Sequence, residues 1–532
     1  MLHKRKFGFL LSGLTAIALV LTAVASQPAR AQGTLVWGLP AGASVLDPHV
    51  LCGWLGRGVS HQIFESFADS DLSQPWESGP APLKPQLATS WDVSDDGLVY
   101  TYYLREGVKF HDGTDFNADA VKVNFDRFMD TESPYYSELA NAYFVFTGYG
   151  AYIASYEIVD PMTFSVTLTE PNYEWMRMGL EDCPTMHFIS AAAIAEYGDA
   201  GLPLHPVGTG PFKFVEREEG VKIVLERNDD YWDEPAKLDS IVFVQLEDPA
   251  TRLNAFRAGE INIVQEPPWD EIESLEDEGF VLTANENPPS IWYLIFNFNN
   301  PVMQDVRVRE AINLAIDREG IVTQILQGTG VPAYEMLSRG TTAYRAGDVD
   351  WGYDPDRARE LLAEAGYADG LTIDFDIAQY GYGELVEKWV QRDLKKVGIN
   401  ADMNKMEWLA YLDKWNAGMP DELEMNTIGW GQQTASWTGL VTRCDRWPWD
   451  GSNVGWYCND AADALLTQAL NEPDEEKAGE LYRQANEIIM GEDWAFAPIY
   501  HYSNPIMTAP TVKGFVNSTA NWWDLKGVYI EE

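Results

Sequence analysis

The chain has 532 residues, with 82 acidic against 37 basic side chains and a formal net charge of −45. Phosphate backbones are repelled by such a surface, so nucleic acid is excluded as an expected partner. The length is too great for one ordinary core, and at least two packed bodies are expected.

At the start, Lys4, Arg5 and Lys6 precede an apolar stretch from Phe7 to Val24, and Ala29 and Ala31 supply an A-x-A site. That order predicts a removable secretory signal over residues 1–31, cut between Ala31 and Gln32. No later stretch is apolar and uncharged for long enough to span a bilayer, so the exported chain is expected to be soluble. Its acidity reads either as a strongly hydrated surface or as attraction for a cationic ligand.

Strand and helix signals then alternate. Leu98, Tyr100, Tyr102 and Leu104 recur at period two and predict a strand over 98–104. Asp112-Gly113 marks a turn, and Asn117 is placed to cap a helix carrying Val121, Phe125 and Phe128. Residues 221–226 and 240–246, rich in Val, Ile and Phe, predict buried strands. From Asp305 to Leu326, the spacing of Val308, Ile312, Ala315 and Ile316 predicts a helix. Asp354-Pro355 starts another, burying Ala358, Leu361, Leu362 and Ala365, with Gly366 to end it. A strand over 371–377 and a helix through Leu385, Trp389 and Leu394 follow. The class is α/β with mixed connections.

The cysteines are Cys52, Cys183, Cys444 and Cys458. An even number in an oxidising compartment favours disulfides over metal or redox roles. Cys444 and Cys458 bracket a loop rich in Trp, Pro and Gly and are expected to pair. Cys52 with Cys183 is the remaining, weaker pairing.

Catalytic signatures are missing from the sequence: it contains no H-E-x-x-H, G-x-S-x-G or P-loop. No two histidines lie at i, i+4, so no metal site and no cofactor are expected. Paired carboxylates carry no weight among so many acids, and a glycosidase hiding its two remains an alternative. Aromatics are more informative. Tyr380 and Tyr382 flank Gly381, Trp430 sits between two glycines, and Trp408 and Trp437 lie nearby in the sequence. Such rings suit the walls of a ligand site, or equally a core.

Several blocks together resemble the extracellular solute-binding proteins for oligopeptides, dipeptides, nickel and related ligands that serve ABC importers. They are Leu46-Asp47-Pro48-His49, then residues 103–128, 206–214, 223–232, 305–322, 353–367, 394–399 and 428–431, collinear over most of the chain. The resemblance implies a large two-lobed periplasmic-binding-protein fold of type II, with an extra subdomain inserted in the first lobe. Its boundaries are expected at 32–287 for lobe I, with the insertion over about 70–190, at 288–504 for lobe II, and at 505–532 for the return. A monomer is implied that binds a small ligand by hinge closure and delivers it to a membrane permease.

Peptide-binding relatives often carry an Asp three residues beyond the Trp of the 428–431 block, where it takes the ligand's α-amino group. Here that position is Gln433, a neutral amide. Trp430 and Gln433 are expected to line the cleft, with Tyr380, Tyr382, Trp408 and Trp437 as further candidates. A peptide or peptide-like ligand is expected; an oligosaccharide or opine-type ligand is the alternative. A secreted glycoside or peptide hydrolase, or an export-compartment chaperone or sensor subunit, is the alternative from a different class.

Overall fold

The computed structural model describes residues 33–42, 45–50, 54–74, 76, 79–147, 149–180, 185–285, 287–345, 351–379, 383–431, 434–448, 451–517, 520 and 522–531. The signal segment over 1–31, and Cys52 and Cys183, lie outside the described residues. Among the described residues no helix is long and apolar enough to cross a membrane.

Two mixed sheets flanked by helices make a two-lobed α/β fold. The first sheet runs in the order Val281–Thr283, Ile506–Thr508, Ile263–Gln265, Thr34–Leu39, Ser240–Gln245, Lys222–Arg227 and Phe212–Glu218. The second runs Gly330–Pro332, Phe496–Tyr502, Ser290–Phe296, Met425–Gly431, Leu371–Gln379 and Ile399–Glu407. A four-stranded antiparallel sheet over Ala88–Val93, Val99–Leu104, Thr163–Leu168 and Ile153–Asp160 forms the inserted subdomain.

Burial follows the sequence pattern. The strand Ser290–Phe296 is a continuous apolar run because it lies at the middle of a sheet covered on both faces. Val99–Leu104 instead alternates, with Tyr100, Tyr102 and Leu104 buried and Tyr103 exposed. Its inner face shares one core with Val121, Phe125 and Phe128 of the helix Ala118–Met129. Asn117 caps that helix, accepting from the Ala120 amide at 3.0 Å. The helix Pro355–Glu364 starts on Asp354 with Pro at its first turn, and Gly366 follows it at φ +96°.

One expectation changes. The run from Asp305 is not one helix but two, Val306–Ala315 and Arg318–Gln324, because Ile316 is extended and Asp317 caps anew on the Gly320 amide at 2.8 Å. The buried Arg318 holds the break by donating to the Pro498 carbonyl at 2.7 Å and the Asn313 carbonyl at 2.8 Å. Further on, the helix Gly383–Lys396 buries Val386, Glu387, Val390, Asp393 and Leu394, while Leu385 is 45% exposed. The helix expected through Leu385, Trp389 and Leu394 is thus present, with Leu394 in its buried face.

Cys444 and Cys458 are disulfide-bonded, with their Cα atoms 4.7 Å apart. Among its described residues the enclosed segment holds turns and one isolated bridge, Pro448 to Gly451. Asn453 steadies it by donating to the Arg443 carbonyl at 3.0 Å and the Tyr457 carbonyl at 2.7 Å.

Candidate ligand-binding cleft

Strand direction locates the cleft. Thr34–Leu39 runs parallel to Ser240–Gln245 and to Ile263–Gln265, so all three end on the same side of the first sheet. In the second sheet Leu371–Gln379 runs parallel to Ile399–Glu407 and to Met425–Gly431, with Gln379 opposite Glu407. The chain crosses between the sheets at 284–289 and at 503–505, and both crossings lie at these carboxyl ends. Gly431 is in register with Ser290, just past the first crossing. Gln265 is in register with Ile506, just past the second. The crossings run side by side, the Asn285 amide donating to the Ser503 carbonyl at 3.2 Å and Ser290 Oγ to the Tyr502 carbonyl at 2.7 Å. Ligands of open α/β sheets bind beyond the carboxyl ends of parallel strands, and here two such sets open on the same hinge.

On the first-lobe side, the buried Arg252 ties two strand ends together. It donates to the Gln265 carbonyl at 3.1 Å, the Glu266 carbonyl at 2.9 Å and the Leu246 carbonyl at 2.5 Å. Glu266 adopts φ +50°, a left-handed conformation that a non-glycine residue takes only when its surroundings impose it. Burial raises the pKa of its carboxyl, opposed by Arg252 and by a hydrogen bond with Tyr502. Glu266 and Tyr502 therefore join the two lobes at the hinge. Gln265 is fully buried, and its side-chain amide has no partner on either atom.

On the second-lobe side, Trp430 is half-buried near the end of its strand, opposite Ile291. Its ring lies 5.7 Å from Trp415 and 5.9 Å from Trp437. Trp437 is 3% exposed and meets Tyr293 edge to face, so it backs Trp430 from within the core. Trp408 opens the helix Trp408–Asn416, directly after the strand that ends at Glu407, and its ring stacks on Tyr411. Gln433, Tyr380 and Tyr382 lie outside the described residues. Of the described candidates, Trp430 thus lies at the carboxyl end of its strand, Trp408 directly follows one, and Trp437 packs in the core behind Trp430.

The inserted subdomain reaches the same place. Glu174 accepts from the Ser436 amide at 3.0 Å and from the Tyr482 hydroxyl at 3.4 Å, binding the segment after Gly431 to the first lobe. Asn287 at the first crossing donates to the Trp76 carbonyl at 3.4 Å. The lobes are therefore in contact across the cleft.

Sequence reasoning passed over Arg252, Gln265, Glu266, Glu174 and Glu387. Buried polar groups without partners in a native fold ask for an explanation, and several gather here: the Gln265 amide, Asn504 Oδ1, Trp292 Nε1, Trp437 Nε1 and both oxygens of Glu387. His501 is also close, its Nδ1 3.0 Å from the Ser290 carbonyl. Burial, with the Ser290 carbonyl opposing, lowers its pKa to about 4 and leaves it neutral. Aromatic walls with open donors and acceptors can hold a polar solute.

The arrangement agrees with comparisons to known proteins. Residues 82–448 match the family described as bacterial extracellular solute-binding proteins, family 5. The chain is 30% identical over 484 residues to heme-binding protein A of Haemophilus influenzae, covering 86% of each chain. It is 31% identical over 443 residues to di/tripeptide-binding protein 1 of Pseudomonas aeruginosa, covering 80% of this chain and 82% of the other. In structure it is similar to the periplasmic binding protein DppA of Helicobacter pylori in complex with the peptide STSA. That match has a TM-score of 0.82 and 28% identity, over 94% of this chain and 99% of the other. With most of its length matched by relatives of known family and by the family itself, the chain belongs to the family 5 bacterial extracellular solute-binding proteins.

Proposed function

We propose that this chain is the periplasmic receptor of an ABC importer. It takes a peptide-like solute between its lobes and delivers it, unaltered, to the membrane permease. One observation carries the reading: the carboxyl ends of both sets of parallel strands open on the two chain crossings, where Trp430 and unpartnered polar groups gather. Relatives that bind di- and tripeptides support the peptide-like class of ligand. The lobe boundaries fall near residues 288 and 505, within or beside the crossings, with the insertion over about 70–190. Trp430 and Gln433 contact the ligand first, with Tyr380, Tyr382, Trp408 and Trp437 around them.

Titration with a mixed dipeptide pool, followed by tryptophan fluorescence, tests this. Saturation should be accompanied by compaction in small-angle scattering, and the peptides should be recovered intact. Trp430→Ala should weaken binding by about 1–3 kcal/mol, the range for removing a packed aromatic ring. Tight binding that Trp430→Ala leaves untouched would put the site elsewhere.

A further inference from the structure

We propose that Glu387 is the anion that receives a cationic nitrogen of the ligand, an ammonium or guanidinium group, in place of the acid that Gln433 does not supply. This rests on the cleft reading above and adds to it the chemical group that the second lobe selects.

Geometry carries the inference. Glu387 lies in the second turn of the helix Gly383–Lys396, which follows the strand ending at Gln379 on the cleft side. It is 1% exposed, and neither carboxyl oxygen has a hydrogen-bond partner. Gly383 stands beside it with no side chain: a Cβ there would lie 3.4 Å from Glu387 Oε1 and 3.1 Å from Trp292 Cζ2. The indole nitrogen of Trp292 is likewise unpartnered. Trp292 is opposite Gly429 in the strand that continues to Trp430, and on its other side it stacks on Tyr500. Trp292 lies two residues past Ser290, which is in register with Gly431 at the first crossing between the lobes. The carboxyl therefore sits close to the seam between lobes.

The titratable groups around it do not neutralise it. On its own helix Glu384 is taken by Lys388 at 2.7 Å and by Lys405, which comes from the strand Ile399–Glu407. From the helix Trp408–Asn416, Tyr411 gives its hydroxyl to the Thr427 carbonyl. From the strand Phe496–Tyr502 comes Tyr500. A buried carboxylate without a partner is costly, and the group stays protonated instead. Burial first and Glu384 second push its pKa up to about 8, with Lys405 opposing. A cation brought against it favours the ionised form, so binding releases the carboxyl proton to solvent and forms a buried, charge-assisted hydrogen bond.

The test uses an equimolar dipeptide pool with free N termini and the same pool N-acetylated, added to the full mature protein at pH 6.5 in a lightly buffered solution. The free pool should bind with release of about one proton per peptide, since the acid is protonated beforehand and ionised afterwards. Acetylated peptides should bind far more weakly and release none. Glu387→Gln should abolish proton release and lower affinity for the free pool by about 30-fold or more, with a melting temperature at pH 6 no lower than the wild type's showing that it is folded. Glu387→Met, of similar volume, should behave alike. Equal affinity for both pools, or proton release that survives in Glu387→Gln, overturns the role of Glu387 and leaves the cleft reading standing. Binding of neither pool overturns both.

Discussion

Asp47 in the first lobe and Glu387 in the second are both carboxyls that are 1% exposed, yet their surroundings are opposite. Asp47 faces a guanidinium squarely: Arg127 donates to it at 3.0 and 2.6 Å, and the His49 amide adds a third hydrogen bond at 3.0 Å. Arg127 is itself shared with Asp199 at 2.9 Å and with His49 Nδ1 at 3.1 Å. Burial raises the Asp47 pKa, but Arg127 outweighs it, and the carboxyl is held below its ordinary range. Glu387 has no such partner, and burial leaves it a neutral acid. The first arrangement is complete without a ligand and belongs to the architecture. The second is incomplete, and an incomplete buried group at a cleft is where a ligand can add most.

The largest expected effect separates the two directly. Arg127→Met strips Asp47 of its countercharge inside the core and should cost about 3–5 kcal/mol, as breaking one side of a buried ion pair does. Urea denaturation at pH 7 measures it. Glu387→Leu in the same assay should cost nothing and should raise stability, because the acid it removes makes no bond and at pH 7 must hold a proton that the unfolded chain has lost. Comparable losses for both would erase the distinction.

A smaller effect concerns how irregular chain is held. Around Asp47 the Leu46–His49 turn is fixed by charge; in the second lobe the segment between Cys444 and Cys458 is fixed by a covalent bond. The double variant Cys444→Ser/Cys458→Ser should lose about 3 kcal/mol, the loop-closure value for a ring of this size. The urea midpoint reads this.

The same contrast explains what was legible in the sequence. Tyr100, Tyr102 and Leu104 announced their strand, and Asn117 and Asp354 their helices, because burial and capping act within a few residues. The break at Ile316 stayed hidden, since the apolar spacing continues through it and the cause is Arg318 reaching the distant Pro498 carbonyl. The aromatics near the strand ends were picked out by composition, but the parallel pairing that sets those ends side by side joins segments far apart in the chain. Glu387 could not be picked out at all. It is one acid among 82, and the sequence marked its helix only through Leu385, Trp389 and Leu394. Only its burial beside Gly383, with no partner for either carboxyl oxygen, makes it different from the acids in water.

The smallest effect is also the most specific, because buried acids and buried imidazoles have opposite pH signs. His49, His111 and His501 have pKa values lowered to about 4, burial first in each case. Their native forms are neutral while the unfolded chain takes up protons below its ordinary value of 6.5, so stability falls as pH drops from 6.5 toward 4. Glu387 works the other way. Its carboxyl holds a proton up to about 8 in the native state but loses it near 4.5 when unfolded. Its contribution is therefore complete below 4.5 and is lost as pH rises toward 8. Glu387→Gln keeps the shape and cannot ionise, so it should remove only the upper limb. Between pH 6 and 7 the wild type should lose up to about 1.4 kcal/mol relative to this variant, one proton's worth of linkage per pH unit. Paired urea titrations at the two pH values give the difference, in which the histidine contribution cancels. A difference that does not change with pH would mean that Glu387 is already ionised in the native fold, with a countercharge that makes it a second Asp47.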